Sequence, residues 1–241
     1  MDATRAKIYS RLPPLRGLVC LLCLPLFLIG APCASAEPPV RVTFQADQVG
    51  KFPDGWVSRN VGPGQVYIVQ AEGGRRFLRG AAQDASVQIG YGKRWPLKEY
   101  PVLQWQWRAV LFPDGSDERK KSGADSVLGL YVVFGRWPLI KSIKYVWSDT
   151  VPVGESFDSP FSSRTKIVVI RSGRTQVGSW ITERRDVLSD YRRLFGKDTG
   201  SPVARGIAIL TDSDNTHSLA VGDYGDVETL PAAREPAALS E

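Results

Sequence analysis

Residues 102–110 read VLQWQWRAV, and this stretch decides the fold class. Polar and apolar residues alternate along it, which is typical of a β-strand with one buried face. The apolar positions are Leu103, Trp105, Trp107 and Ala109, and the polar positions are Gln104, Gln106 and Arg108. Because the two tryptophans share a face with apolar neighbours, we predict that they pack in a core. The polar face is then either solvated surface or the floor of a groove.

Similar short runs recur along the rest of the chain, separated by turn residues. They are rich in Val, Ile, Tyr and Trp, and they include VYIVQ at 66–70, SVLGLYVVF at 126–134, KIVVIR at 166–171 and GIAILT at 206–211. The turn sequence FPDG occurs twice, with Pro to preset φ and Gly to tolerate a positive φ. About eleven such strands predict an all-β fold, a two-sheet antiparallel sandwich that is jelly-roll-like. A closed barrel is the alternative.

One segment has the periodicity of a helix. In DVLSDYRRLFG, residues 186–196, the apolar residues fall on a single stripe; they are Val187, Leu188, Tyr191, Leu194 and Phe195. Asp186 is a suitable N-cap, and Gly196 can end the helix. The pattern predicts one short helix near 187–195.

The first 36 residues have the layout of a secretory signal peptide. A basic beginning is followed by the apolar run from Leu18 to Ile29 and by the small-residue cleavage site Ala34-Ser35-Ala36. We therefore predict a signal peptide at 1–36, a single β-sandwich domain at 37–231 and a disordered tail at 232–241. The expected location is periplasmic or secreted. A membrane anchor fits less well because a span needs about 20 apolar residues, and Pro32 makes lipid attachment at Cys33 a poor alternative.

Loss of this segment would change the thiol content and the charge. All three cysteines lie within residues 1–36, so the domain is expected to have no disulfide and no cysteine ligand or nucleophile. The formal charge of +6 falls to +3 when four cations and Asp2 are removed. That charge is too small to indicate a nucleic acid partner. No later run is apolar enough to span a membrane.

The stretch TDSDNTHS at 211–218 concentrates polar side chains after a predicted strand. Asp212 and Asp214 are candidate Ca²⁺ ligands, but His217 stands where an EF-hand requires glycine. It is also the only histidine of the chain, which argues against a zinc site and a serine triad. Since Asp, Asn and Ser often bond to nearby backbone, a structural turn that forms one wall of a groove is favoured. No metal and no cofactor is predicted.

A second polar run, WITERRD at 180–186, stands where a strand leads into the predicted helix. Functionally, Glu183 and Arg184 would bind a ligand, with Arg108 as a charge partner. Because sequential strands are neighbours about two-thirds of the time, Glu183 and Asp212 are expected to lie close together. The alternative is an ion-pair network that stabilises the start of the helix. The candidate ligand-binding residues are Arg108, Glu183, Arg184, Asp212, Asp214 and His217.

Several blocks of the sequence together resemble one family. They are LQWQWRAV, GADSVLGLYVVFG, VGSWITERRDVLSDYRRLFG and RGIAILTDSDNT, with AVGDYGDVE after them. This set is similar to the bacterial exported family called domain of unknown function 3047, across most of the chain from Phe44 to Glu228. The resemblance implies an exported β-rich domain and no particular activity.

Three functions remain open. The leading hypothesis is an exported, non-catalytic binding module of the envelope, whose ligand is a glycan or a similar polymer. The second is a polysaccharide-active hydrolase or lyase, with a carboxylate pair or a base among Glu183, Asp212, Asp214 and His217. The third is a structural envelope protein without a small ligand. A groove separates the first two from the third, and two carboxyl groups about 5–9 Å apart on it favour hydrolysis.

Overall fold

The structure is a computed structural model that describes residues 38–59, 62–196 and 202–232. The predicted signal peptide and all but the first residue of the predicted tail lie outside the described residues. Within the three described ranges, no helix is long and apolar enough to cross a membrane.

Fourteen β-strands and one α-helix lie in these ranges. In chain order they are β1 (Arg41–Val42), β2 (Trp56–Ser58), β3 (Tyr67–Glu72), β4 (Arg75–Gln83), β5 (Ile89–Tyr91), β6 (Trp95–Pro96), β7 (Val102–Leu111), β8 (Leu128–Phe134), β9 (Lys141–Ser148), β10 (Ser156–Ser159), β11 (Ser162–Ser172), β12 (Ile181–Asp186), α1 (Val187–Phe195), β13 (Val203–Leu210) and β14 (Leu219–Leu230).

The strands form two sheets, as predicted. Sheet A has six strands in the order β12-β7-β14-β4-β3, with β1 paired to β14. Sheet B has eight strands in the order β10-β11-β9-β8-β13-β5-β2, with β6 paired to β13. The predicted all-β sandwich with one short helix is confirmed.

One strand pair differs from the predicted antiparallel arrangement. β11 pairs with β9 in parallel, whereas β10 pairs with β11 in antiparallel fashion. After β9 the chain passes over one strand position to form β10 and then returns through a tight turn. The strand inserted by that return therefore runs in the same direction as β9.

The core lies between the two sheets and is rich in aromatic rings. Trp105 and Trp107 of β7 are 1% and 0% exposed, which confirms the predicted core packing. Their ring centroids lie 5.5 Å from Tyr145 and 6.4 Å from Trp147, both on β9 of the other sheet. Burying about 200 Å² per tryptophan at about 25 cal/mol/Å² corresponds to roughly 5 kcal/mol of hydrophobic stabilisation each.

The helix α1 follows β12 and packs its apolar stripe on the core, as predicted. The Asp186 carboxylate accepts a hydrogen bond from the Ser189 backbone N–H at 2.8 Å and caps the first turn. Val187 and Tyr191 are buried. Gly196 follows the last turn with a φ of 86°, a left-handed value that glycine tolerates.

A buried carboxylate on this helix connects it to both sheets. Asp190 accepts hydrogen bonds from the Tyr145 hydroxyl at 3.0 Å and from the guanidinium groups of Arg185 and Arg193 at 2.9 and 3.0 Å. Arg185 belongs to β12 of sheet A and Tyr145 to β9 of sheet B. The predicted ion-pair network at the start of the helix is thus present. Its carboxylate is Asp190, which the sequence analysis did not single out.

Candidate functional site

The outer face of sheet B carries a continuous row of paired residues. Because residues alternate along a strand, those that do not enter the core lie on this outer face. The row crosses seven strands through Val57, Gly90, Ala208, Tyr131, Lys144, Ile167 and Phe157. With strands about 4.8 Å apart, the row is roughly 29 Å long.

Small side chains in and beside this row leave a depression, which we call the sheet B groove. It has a volume of about 460 Å³, and its lining includes Val57, Gly90, Tyr131, Ser142, Thr165 and Ala208. A further cavity of about 340 Å³ shares part of this lining and extends over Tyr91 and Arg205. The groove therefore crosses the middle of the sheet, where the lining includes the small residues Gly90, Ala208 and Ser142.

An acidic cavity adjoins one end of the groove at Tyr131. Tyr131 lines both spaces, and the second has a volume of about 150 Å³. Its lining includes Lys144, Asp212 and Asp214, together with residues 159–161 of the turn between β10 and β11. This position agrees with the expectation that the TDSDNTHS loop forms one wall of a groove.

Asp212 and Lys144 are buried side chains that both bond to Ser126. One oxygen of Asp212 accepts from the Ser126 backbone N–H at 2.8 Å, and Lys144 Nζ donates to the Ser126 hydroxyl at 2.9 Å. Burial raises the pKa of Asp212 to about 7, although the nearby Lys144 ammonium opposes the shift. Burial also opposes the charge on Lys144, but Tyr131, Asp212 and Glu118 outweigh it and raise the pKa of Lys144.

The TDSDNTHS loop is held in place by a carboxylate from another part of the chain. Asp125 accepts from the backbone N–H groups of Asn215 and Thr216, at 3.2 and 2.7 Å, and from their side chains, at 2.9 and 2.7 Å. These four bonds agree with the predicted structural turn. Asp125 is absent from the predicted candidates. Its only sequence signal is an aspartate directly before the apolar run SVLGLYVVF.

Three carboxylates meet at this loop. Oxygens of Asp125, Asp212 and Asp214 lie within 4.8 Å of one another. Both oxygens of Asp125 already accept hydrogen bonds, and Lys144 lies near Asp212. Ca²⁺ takes six to eight oxygens, so the cluster is a poor match to a calcium site. The absence of a metal from the native protein stays a prediction.

The remaining loop candidate, His217, forms a surface pair. Its Nδ1 lies 2.8 Å from an Asp84 oxygen, and both side chains are more than half exposed. The hydrogen bond that His217 donates to the Asp84 carboxylate raises the pKa of His217. His217 lines neither the groove nor the acidic cavity.

Arg108 lies on the outer face of sheet A, on the opposite side of the sandwich from the groove. Its guanidinium pairs with the buried Asp223 at 2.8 Å and with Glu72 at 2.7 Å. Arg79 bonds to the same Asp223 carboxylate at 2.7 Å. The charge of Arg108 is therefore already compensated within the sheet.

Glu183 and Arg184 point to opposite sides of β12. Glu183 accepts from Trp107 Nε1 at 3.2 Å and from Arg171 Nε at 2.7 Å, whereas Arg184 is exposed. The expectation that Glu183 lies beside Asp212 is wrong, because β12 belongs to sheet A and β13 to sheet B. The helix between them carries the chain from one sheet to the other. Two of the six candidates, Asp212 and Asp214, line the acidic cavity.

The family described as "Protein of unknown function (DUF3047)" matches residues 54–228, which is more than half of the chain. The chain belongs to this family. The predicted resemblance is confirmed, and its blocks can now be placed on the DUF3047 sandwich. LQWQWRAV forms most of β7, ERRDV and DYRRLFG form the junction of β12 with α1, and TDSDNT forms the wall of the acidic cavity.

No curated protein matches this DUF3047 chain. Several solved structures are similar to it at low identity. Endoglucanase 3 of family GH12 from Trichoderma harzianum is 9% identical at a TM-score of 0.40, over 82% of this chain and 99% of that one. The Emp47p carbohydrate recognition domain is 10% identical at a TM-score of 0.42, over 85% and 100%. The Endo-D glycoside hydrolase domain from Streptococcus pneumoniae R6 is 12% identical at a TM-score of 0.37; the match covers 75% of this chain and 22% of that one.

Proposed function

We propose that this protein is a glycan-binding module that holds an elongated chain in the sheet B groove. The observation that carries the proposal is the groove itself, an open depression of about 460 Å³ on a face formed by seven paired strands. Its floor includes the small residues Gly90 and Ala208 on neighbouring strands, with Tyr131 beside them. Concave, partly apolar surfaces with a few polar groups are typical of ligand sites.

The lining has the chemistry that a sugar chain requires. The Tyr131 ring and the apolar Val57 and Val133 contact the same space as the hydroxyl groups of Ser142 and Thr165. Sugar rings have apolar faces and hydroxyl edges, so they match a surface that mixes rings with hydrogen-bonding groups.

An exposed tryptophan stands beside the groove. Trp137, in the turn between β8 and β9, is 80% exposed. The same turn leads into Ile140, which lines the groove, and Arg164 donates to the Pro138 carbonyl while its neighbour Thr165 lines the groove. An exposed indole at this edge supplies a flat surface on which a sugar ring can stack.

Substitution of Gly90 by leucine tests the groove directly. A Cβ at Gly90 meets only the Ile207 carbonyl oxygen at 3.7 Å and the Ala208 Cβ at 4.0 Å, so the side chain enters the groove without strain. We expect Gly90→Leu to weaken binding to soluble polysaccharides at least tenfold in affinity electrophoresis while the Tm is unchanged. Gly64→Leu is the matched control, because a Cβ there meets only Phe52 at 3.7 Å. Equal binding by Gly90→Leu and the wild type would exclude the groove as the site.

A second candidate function is hydrolysis at the acidic end. Asp212, with a pKa of about 7, can donate a proton at neutral pH, and its oxygens approach those of Asp214 to within 4.8 Å. This spacing is near the roughly 5–5.5 Å of retaining glycosidases. Release of reducing ends from a bound polysaccharide, abolished by Asp212→Asn and by Asp214→Asn, would establish this activity.

We also propose that the protein is exported to the periplasm or beyond. The support is the basic, apolar and small-residue order of residues 1–36. Intact-mass measurement of the exported protein is expected to show Glu37 as the first residue. A mass that retains residues 1–36, or lipid on Cys33, would contradict cleavage at this site.

A further inference from the structure

The end of the groove away from Asp212 is basic. The cavity of about 340 Å³ at this end is lined by Arg59 and Arg205, with Tyr91 between β2 and β13. Neither arginine forms an ion pair with any described residue. Among the described residues, therefore, no carboxylate pairs with either of these positive charges, which line the same space.

Arg205 is held among other cations. Burial, together with repulsion from Arg94 and Arg136, lowers the pKa of Arg205. Its Nε is buried without a hydrogen-bond partner among the described residues. A buried donor without a partner costs about 1–3 kcal/mol, so such a group is unusual unless a water molecule or a ligand supplies the acceptor.

The arginines of this end contrast with Arg79 and Arg108 on sheet A. Arg94 in the loop before β6, Arg136 in the β8–β9 turn and Arg164 at the start of β11 also lack ion pairs in the described ranges, and Arg136 is next to the exposed Trp137. On sheet A, by comparison, Arg79 and Arg108 share the buried Asp223 carboxylate. The two arginines beside Asp223 on sheet A are thus neutralised, whereas Arg59 and Arg205 form no ion pair among the described residues.

We propose that the ligand of the sheet B groove is an acidic polysaccharide, with a sugar carboxylate bound by Arg59 and Arg205. The proposal rests on the proposed function and specifies its ligand class. A guanidinium fork matches a carboxylate in two parallel hydrogen bonds.

The two ends of the groove also determine the charge pattern of the ligand. At one end the Asp214 carboxylate repels anions, while Asp212 is partly protonated near pH 7 and Lys144 lies beside it; at the other end Arg59 and Arg205 attract anions. A chain in which acidic and neutral sugars alternate satisfies both ends. A nucleic acid, with a phosphate at every unit, would place charges beside the aspartates as well.

Matched pairs of polysaccharides test this assignment on the full domain. The probes are glucuronoxylan with its carboxyl-reduced form, and partly methyl-esterified pectin with its fully esterified form. We expect at least tenfold tighter binding of the acidic member of a pair, and loss of about tenfold in affinity for each of Arg59→Gln and Arg205→Gln. Binding of the neutral member should change little. Arg192→Gln, on the exposed side of α1, is the control.

Each outcome decides a separate point. Preference for the acidic probes that disappears in the Arg59 and Arg205 variants, with the Tm unchanged, supports the proposal. Equal binding of both members of each pair would overturn the proposal and leave glycan binding in the groove intact. Binding of no polysaccharide would overturn both. Tighter binding of a single-stranded oligonucleotide or of anionic phospholipid vesicles, weakened by the same variants, would replace the polysaccharide by that ligand. If Arg205→Gln fails to fold, two other measurements test the proposal. They are the affinity of Arg59→Gln for the acidic probes and the decrease of wild-type affinity for those probes as salt is added.

Discussion

Replacement of Asp212 by asparagine is expected to change how the stability of the protein depends on pH. The folded chain holds the Asp212 proton up to a pKa of about 7, whereas the group has an ordinary value of 3.8. Between these values the folded state binds one more proton than the unfolded state. The free energy of unfolding therefore falls as pH rises through this window, and the loss is complete above pH 7.

The magnitude follows from the width of the window. From pH 5 to the folded-state pKa of about 7, the folded chain holds the proton and the unfolded chain does not. These two pH units, at about 1.4 kcal/mol each, lower the free energy of unfolding by about 3 kcal/mol. Asp212→Asn removes this pH-dependent loss of stability, because the amide stays neutral. The amide oxygen can still accept the hydrogen bond from the Ser126 N–H. The variant is thus expected to gain about 3 kcal/mol relative to the wild type on going from pH 5 to pH 8.

Urea denaturation of both proteins at several pH values measures this difference. Subtraction of the two curves removes the contributions of all other titrating groups that are shared. The exposed Asp226, replaced by asparagine, is the control and should show no such trend. A stability difference between Asp212→Asn and the wild type that stays constant within about 0.5 kcal/mol from pH 5 to pH 8 would refute the reasoning.

Three further predictions concern the scaffold. Asp190→Asn should lower the free energy of unfolding, measured by urea denaturation, by about 2–3 kcal/mol. This is less than the roughly 3–5 kcal/mol of a fully buried pair because Arg185 is partly exposed. A double-mutant cycle with Tyr145→Phe should show coupling, and additive effects would contradict the network. Leu194→Ala should cost about 1–2 kcal/mol, below the value for a fully buried leucine because this side chain is half-buried; no loss would mean that the helix stripe does not pack. Chelation with EDTA should leave the Tm unchanged, and a fall of many degrees would reveal a structural cation at Asp212 and Asp214.

Periodicity along the chain was sufficient to predict the longer strands, the helix and the burial of Trp105 and Trp107, but not the short strands β2, β6 and β10. Alternation in residues 102–110 requires Trp105 and Trp107 to share the buried face, whichever sheet lies opposite. The stripe in 187–195 likewise requires a helix with Val187 and Tyr191 inward. These are properties of a few neighbouring residues, and strand and helix periods are the same in every fold.

The order of the strands in the sheets determines which residues meet at the site. This order cannot be predicted from any local sequence pattern. β12 and β13 follow each other in the chain but lie in different sheets, so Glu183 and Asp212 belong to separate networks. Asp125 holds a loop 90 residues away, because β8 and β13 are neighbours in sheet B.

The groove depends on the same pairing. Gly90 and Ala208 form its floor only because β5 pairs with β13. The surroundings of Arg205 in the described part of the chain likewise depend on which strands lie beside it. The sequence by itself therefore determined which face of each element is buried. Which residues meet across strands, and hence the groove and its two charged ends, was decided by tertiary pairing, because contacts between distant segments depend on the packing of the whole sheet.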